Sequence, residues 1–187
     1  MFIKKNNSDN CNFFMRLALQ QAKINLGNTK ENPSVGCILT RKGNVISVGH
    51  TSINGRPHAE KNAISKSKIS VKNSQLYSTL EPCSHFGKTP PCVNTIIRNK
   101  ISKVYFSVKD PDKRSFNLCK NKLRKNKIKV HNGIMLKKIN NFYRSYLKSK
   151  KNGLPFVTSK IALSKDFFTI NKNRKWITNE FSRGRVH

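Results

Sequence analysis

One histidine, one glutamate and two cysteines have the types and spacing of a metal-dependent hydrolytic site. His58 and Glu60 open a predicted helix as His-Ala-Glu, whereas Cys83 follows a predicted strand and Cys92 lies in a second predicted helix. One histidine and two cysteines form a three-ligand zinc set, and a catalytic zinc keeps its fourth position for water. The ion lowers the pKa of that water toward neutrality, which leaves Glu60 to transfer the protons.

The order of these residues along the chain indicates hydrolytic deamination. Zinc-dependent nucleobase deaminases carry H-x-E followed by P-C-x-x-C. This chain keeps His-Ala-Glu and Pro82-Cys83, but Cys92 comes nine positions after Cys83. Two alternatives remain open. One is a structural zinc site with His85 as a fourth ligand, and the other is an incidental histidine with two core cysteines.

The composition indicates a globular protein outside the membrane. Of the 187 residues 36% are hydrophobic, which is enough to bury a core. No apolar run approaches the roughly 18–20 residues of a membrane span. Residues 1–12 have no apolar segment typical of a secretory signal. Five cysteines, an odd number, argue against a disulfide framework, so we expect a cytoplasmic protein that binds no membrane.

The net charge of +30, from 38 Lys and Arg against eight Asp and Glu, has two interpretations. Such a charge is typical of a nucleic-acid binder. The second interpretation is compositional drift toward lysine, with the excess charge spread over solvated faces. The lysines are scattered along the whole chain, so we favour drift and expect no specific nucleic-acid partner. In either case the basic surface attracts an anionic substrate such as a phosphate ester.

Predicted helices and strands alternate along the chain, which indicates a three-layer α/β arrangement. Helices are predicted at 14–26, 58–67, 89–99, 120–127 and 140–151, and strands at 35–40, 45–49, 76–80, 104–108 and 129–131. Beyond a linker at 150–153, a strand is predicted at 154–162, and the end of a strand and the start of a helix at 176–186. These last roughly 35 residues are too few for an independent core.

Three segments together resemble the deaminase domain of the bifunctional riboflavin-biosynthesis deaminase/reductase. They are Asn-Pro-Ser-Val-Gly at 32–36, His-Ala-Glu at 58–60, and 80–92, whose eight-residue insert between the cysteines is specific to that family among cytidine-deaminase-like proteins. The match covers about 12–149. It implies a cytidine-deaminase-like α/β/α sandwich with a mixed central sheet over 1–149. A linker and a short fragment of a second α/β domain would then occupy 150–187.

The resemblance also implies a substrate and a set of site residues. The substrate is a 2,5-diaminopyrimidinone with a 5-phosphoribosylamino group, and hydrolysis at C2 releases ammonia. His58, Cys83 and Cys92 would bind one zinc ion per chain, and Glu60 would be the proton shuttle. The residues that would line the substrate pocket are Asn32, His50, His85 and Lys88. Lys88 and the backbone near Thr89 would hold the phosphate, since helix N-termini attract anions.

The C-terminal residues resemble the opening of the family's reductase domain at 153–166, 175–178 and 183–187. That domain binds NADPH in the family, so Ala162 and Trp176, with Lys160, would be cofactor-binding residues that lack their partners here. We therefore expect neither NADPH binding nor reductase activity from this chain. The loop 113–117 departs from the family's pattern because it lacks glycine.

The sequence also leads to expectations about partners and leaves competing functions to be weighed. We expect a homo-oligomer that acts on a small phosphoribosyl pyrimidine. Whether a separately encoded reductase exists stays an open question. A tRNA or nucleoside deaminase of the same fold would suit the charge, but tRNA-editing relatives resemble the short C-x-x-C form. A decayed, non-catalytic remnant is the third hypothesis, and the presence of all four zinc-centre residues argues against it.

Overall fold

The computed structural model describes residues 7–112, 114, 118–169 and 176–184. The chain divides into two compact units, Met1–Leu154 and Pro155–His187. In the first unit the helices are α1 (Asn7–Lys23), α2 (Ala59–Ser65), α3 (Cys92–Arg98), α4 (Leu118–Lys125), α5 (Leu136–Phe142) and α6 (Arg144–Asn152). The strands are β1 (Gly36–Arg41), β2 (Asn44–His50), β3 (Gln75–Leu80), β4 (Lys103–Val108) and β5 (Lys129–Asn132), and a 3-10 turn spans Ile53–Gly55.

The strands form one mixed sheet in the order β2-β1-β3-β4-β5. Strand β1 runs antiparallel to both β2 and β3, whereas the β3–β4 and β4–β5 pairs are parallel. The β1–β2 hairpin turns at Lys42 and Gly43, whose positive φ angles of 49° and 80° are those that a two-residue type I′ hairpin turn requires. The mixed central sheet that the resemblance implies is therefore confirmed.

Two glycines show that α1 and α2 lie on opposite faces of the sheet. A side chain at Gly36 would collide with the α1 backbone at Ala18, and one at Gly49 with the α2 backbone at Ala63. Gly49 pairs with Cys37, the neighbour of Gly36 in β1, so the two glycines face opposite sides. Close helix–sheet packing on both faces follows from these missing side chains.

The remaining helices complete the two outer layers. Helix α3 contacts both α2 and α4, which places these three in one layer. Helix α5 contacts β4, and Tyr143 at its end bonds Thr79 on the face that carries α1. The predicted three-layer α/β/α sandwich is thus confirmed. The largest fully buried side chains between the layers are those of Met15, Ile38, Leu39, Leu76, Ile96, Ile101, Phe106, Leu123 and Ile139.

Three of the predicted helices differ most from those in the structure. Helix α1 begins at Asn7 and ends at Lys23, before the predicted end at 26. Helix α3 begins at Cys92 rather than 89, because Thr89 and Pro90 each precede a proline and that position disfavours the helical conformation. The single helix predicted at 140–151 is two helices, α5 and α6, separated by Tyr143 with φ −90° and ψ 9°.

The second unit differs more from the prediction. Its described residues form the short helix α7 (Glu180–Gly184) and no strand, so the strand predicted at 154–162 is wrong. A strand forms only by pairing its backbone with another strand, and an isolated apolar run lacks that partner. Position 175 and positions 185–187, which carry part of the reductase resemblance, lie outside the described residues, as do 113 and 115–117 in the loop without glycine. Among the described residues no helix is long and apolar enough to cross a bilayer.

Candidate active site

The three predicted zinc ligands meet where β3 ends and α2 and α3 begin. His58 is the residue before α2, Cys92 is the first residue of α3, and Cys83 follows β3 by three residues. The Nδ1 atom of His58 lies 3.5 Å from Cys83 Sγ and 3.4 Å from Cys92 Sγ. The backbone N–H of Cys92 also donates to Cys83 Sγ at 3.2 Å. All three ligand atoms lie within 4.8 Å of one another.

These distances fit a zinc ion. Zn–S bonds of about 2.3 Å and Zn–N bonds of about 2.0–2.1 Å at tetrahedral angles separate sulfur and nitrogen by roughly 3.5–3.6 Å. The two measured separations agree with that value. The Cys92 thiol and His58 together lower the pKa of Cys83 to about 4, which favours the thiolate that binds metal. Within the described part of the chain, His85 does not belong to this cluster, which argues against the structural site with four ligands.

Glu60 lies in the first turn of α2 and is only 3% exposed. Its Oε1 accepts a hydrogen bond from the hydroxyl group of Ser78, in β3, at 3.4 Å. Burial raises the pKa of Glu60, and the nearby Cys83 sulfur raises it further. A carboxyl group with a raised pKa suits a step that both accepts and returns a proton.

Three of the four predicted substrate-binding residues share a cavity with two of the predicted metal ligands, His58 and Cys83. The cavity has a volume of about 550 Å³, and Asn32, His85 and Lys88 line it together with His58 and Glu60. The structure therefore brings these side chains together from segments that are far apart in the sequence.

His50, the fourth predicted substrate-binding residue, does not line this cavity. Its Nδ1 lies 3.3 Å from Gln21 Oε1, and its carbonyl group accepts a hydrogen bond from Asn62 Nδ2 at 2.7 Å. Burial, and then the charge of Lys66, lower the pKa of His50. A direct role of His50 in substrate binding stays a prediction.

Asn32 reaches the cavity from a tight turn after α1. Its backbone N–H donates to the Thr29 carbonyl group at 3.1 Å, and its own carbonyl accepts from the Thr29 hydroxyl at 2.7 Å. Gly55 lies against the Asn32 side chain with φ +85°, and a Cβ atom there would collide with it. Glycine at 55 thus provides both the backbone angle and the space for Asn32.

The loop 84–91 between the two cysteines forms one side of the cavity. Lys122 Nζ donates to the Ser84 carbonyl group at 2.9 Å, and Arg56 Nη1 donates to Thr89 Oγ at 2.8 Å. Since α3 begins only at Cys92, Thr89 is not at a helix N-terminus. The predicted phosphate site at a helix end beside Thr89 is therefore wrong in its geometry, although Lys88 does line the cavity.

A second group of polar side chains in the cavity was not predicted. Glu81 Oε2 accepts from the Asp110 backbone N–H at 3.2 Å, and Asp110 Oδ1 accepts from the Tyr146 hydroxyl at 3.0 Å. Burial raises the pKa of both Glu81 and Asp110. The Arg114 guanidinium lowers the pKa of Asp112 to about 2. The scarcity of acids in the sequence was a signal for this group, because five of the eight carboxylates line the cavity.

The charge of the cavity is balanced although the chain is strongly basic. Five carboxylates and five Lys or Arg side chains line it, out of eight and 38 in the whole chain. The remaining 33 basic and three acidic residues lie elsewhere. The long-range field of the protein therefore attracts anions, whereas the carboxylates supply hydrogen-bond acceptors inside the cavity. The charged lining residues are Lys30, Glu31, Arg56, Glu60, Glu81, Lys88, Asp110, Asp112, Arg114 and Lys150.

The two predicted cofactor-binding positions lie in the second unit. Ala162, like Lys160, belongs to a segment without helix or strand. The guanidinium carbon of Arg183 lies 5.0 Å from the centre of the Trp176 ring, within the range of a cation–π contact.

Comparison with known proteins agrees with the geometry of the site. Residues 8–108 match the sequence family of the cytidine and deoxycytidylate deaminase zinc-binding region. The chain belongs to this family. Within this deaminase family it is 36% identical over 179 residues to the riboflavin biosynthesis protein RibD of Chlamydia trachomatis, a match that covers 93% of this chain and 47% of that protein. It is 35% identical over 173 residues to RibD of Bacillus amyloliquefaciens, covering 91% and 47%.

A solved structure shows the same fold. The diaminohydroxyphosphoribosylaminopyrimidine deaminase/5-amino-6-(5-phosphoribosylamino)uracil reductase of Thermotoga maritima superposes with a TM-score of 0.89 at 30% identity. The alignment covers 97% of this chain and 54% of that one. The chain spans about half the length of the curated relatives it matches. The cytidine-deaminase-like fold predicted from the sequence is confirmed.

Proposed function

We propose that this chain is a zinc-dependent deaminase of riboflavin biosynthesis. It hydrolyses 2,5-diamino-6-(5-phosphoribosylamino)pyrimidin-4(3H)-one to 5-amino-6-(5-phosphoribosylamino)uracil and ammonia. The observation that carries the proposal is the cluster of His58, Cys83 and Cys92 at zinc-binding distances beside buried Glu60. The similarity to RibD proteins supports the choice of substrate.

Each residue of the cluster has a defined task in this reaction. His58, Cys83 and Cys92 hold one zinc ion per chain, which when bound supplies a Lewis acid that activates water. Glu60 takes the proton from the attacking water and delivers it to the departing amino nitrogen. The Ser78 hydroxyl bonds to Oε1 of Glu60 and limits its rotation.

The cavity lining supports an anionic substrate with a polar ring. We assign Asn32 and His85 to the pyrimidine ring and Lys88 to the phosphate group, because all three line the cavity that contains Glu60. The excess of basic residues outside the cavity steers the phosphate ester toward the site. We further propose that the enzyme works in the cytoplasm as a homo-oligomer, with reduction of its product carried out by a reductase domain or protein.

The decisive experiment is an assay on zinc-loaded protein. Purified protein is incubated with the diaminopyrimidine substrate, and ammonia release is followed together with the mass change of the pyrimidine. We expect both signals, their loss after treatment with a chelator, and their return when zinc is added. Deoxycytidylate serves as the competing substrate. If the protein deaminated deoxycytidylate and not the diaminopyrimidine, the proposed substrate would be wrong. If it deaminated neither compound, the proposed enzymatic activity would be wrong.

A further inference from the structure

The loop 84–91 carries two of the proposed substrate-binding residues but has little structure of its own. His85 and Lys88 both line the cavity, and the loop contains neither helix nor strand. Among its described backbone contacts, one hydrogen bond lies within the loop, from Gly87 N–H to the Thr89 carbonyl at 3.4 Å. Phe86 beside them is 71% exposed and so does not anchor the loop in the core. The position of His85 and Lys88 therefore depends on contacts from other segments.

Arg56 makes such a contact from the segment that leads into α2. Its Nη1 donates to Thr89 Oγ at 2.8 Å, and a Cβ atom built on Gly87 would lie 3.6 Å from Nη2. The guanidinium group thus approaches the loop at Gly87 and at Thr89, which are the residues on either side of Lys88. Arg56 is itself half-buried, and two residues later the same segment supplies His58.

We propose that Arg56 is a positioning residue, which holds the loop 84–91 against the cavity so that His85 and Lys88 are in place before substrate binds. A loop ordered in advance loses less conformational entropy on binding, so the contact strengthens substrate binding. The contact joins Arg56 to Thr89, whereas the proton transfer depends on Glu60. Its loss should therefore raise KM and leave kcat nearly unchanged. This kinetic consequence rests on the proposed function, whereas the effect on the loop does not.

Two single substitutions and their combination test the contact kinetically. Arg56→Gln removes the charged donor, Thr89→Val removes the acceptor, and Arg98→Gln in α3 is the matched control because Arg98 does not line the cavity. We expect each of the first two to raise KM about ten- to hundredfold, the range for a hydrogen bond to a charged group. The double variant should be no worse than either single variant, because both remove one contact. Arg56→Lys, which keeps the charge, should be intermediate.

Two kinetic results would overturn the proposal. If Arg56→Gln raised KM while Thr89→Val did not, Arg56 would bind the substrate directly instead of acting through the loop. If the effects of the two substitutions were additive, the residues would act independently. Zinc content is measured in every variant, so that a loss of metal is not mistaken for a loss of positioning.

Hydrogen exchange tests the loop without any enzymatic assay. In zinc-loaded protein without substrate, peptides that cover 84–91 should exchange faster in Arg56→Gln and Thr89→Val than in the unmodified protein or in Arg98→Gln. Unchanged exchange in this loop would refute the proposal whatever the kinetics. Faster exchange in a protein that does not deaminate the diaminopyrimidine would refute the proposed function and leave the role of Arg56 standing.

Discussion

The hydroxyl oxygen of Tyr143 lies 2.6 Å from the hydroxyl oxygen of Thr79, and both groups are buried. Tyr143 donates to the Ser34 carbonyl group at 3.0 Å, and Thr79 accepts from the Gly36 N–H at 3.1 Å. Thr79 is therefore the donor to Tyr143. This chain of bonds joins the junction of α5 and α6 to β3 and to the segment between Asn32 and β1.

Tyr143→Phe should lower the free energy of unfolding by about 1–3 kcal/mol, because it leaves the Thr79 hydroxyl and the Ser34 carbonyl buried without their partner. Equilibrium unfolding in urea measures the change. The slope of the unfolding free energy against urea concentration should stay the same, since the substitution does not alter the surface exposed on unfolding. A loss of less than about 0.5 kcal/mol would mean that water or another group replaces the phenol, as for surface substitutions.

Protein purified without added zinc should contain about one zinc ion per chain, as expected for an open three-ligand site. Metal analysis of Cys83→Ser and Cys92→Ser should show most of the metal lost, because serine does not replace a thiolate ligand. Cys11→Ser is the matched control, since Cys11 lies outside the cluster. Equal zinc content in all three variants would place the metal elsewhere.

Glu60→Gln should retain zinc and lose at least the roughly 10²–10⁴-fold that a general acid–base group contributes. Glutamine keeps the size of the side chain and its contact with Ser78, so loss of turnover would report on the proton. Ammonia release and metal content are measured on the same sample. A near-normal rate in the variant would require another group to move the protons.

The basic surface should bind polyanions weakly and without sequence preference. Fluorescence anisotropy with a short RNA should show affinity that falls steeply as salt increases, because binding releases counterions from the phosphates. Sequencing of tRNA treated with the enzyme should show no converted base. A converted base would favour the tRNA deaminase hypothesis instead.

Residues 155–187 should not bind NADPH by themselves. A hydride-transfer site needs a pocket that holds the nicotinamide against its substrate. The described residues of this unit form one five-residue helix and no strand. Titration with NADPH, followed by the fluorescence of the cofactor, should show no saturable binding to the 187-residue chain at micromolar concentration. Saturable binding would contradict the prediction.

Local sequence was enough to predict the chemistry. His58 and Glu60 share a tripeptide, and Cys83 and Cys92 share one short segment, so residue type and spacing alone indicate a zinc-dependent hydrolytic site. The sheet was predictable for the same reason, because the alternation of apolar strands and helices depends on neighbouring residues. The later start of α3 follows from the prolines after Thr89 and Pro90, which is also a local effect. The break at Tyr143 has no such local signal, and the Tyr143 hydroxyl bonds to Ser34, 109 positions away.

Only the tertiary structure decided which polar groups meet at the cavity. His50 and His85 looked alike as candidates, yet His85 lines the cavity and His50 contacts Gln21. The contacts of Arg56 with Thr89 and of Tyr146 with Asp110 join residues 33 and 36 positions apart. Such pairs depend on how the helices pack on the two faces of the sheet. Packing is a property of the whole chain, whereas the identity of a catalytic group belongs to its own short motif.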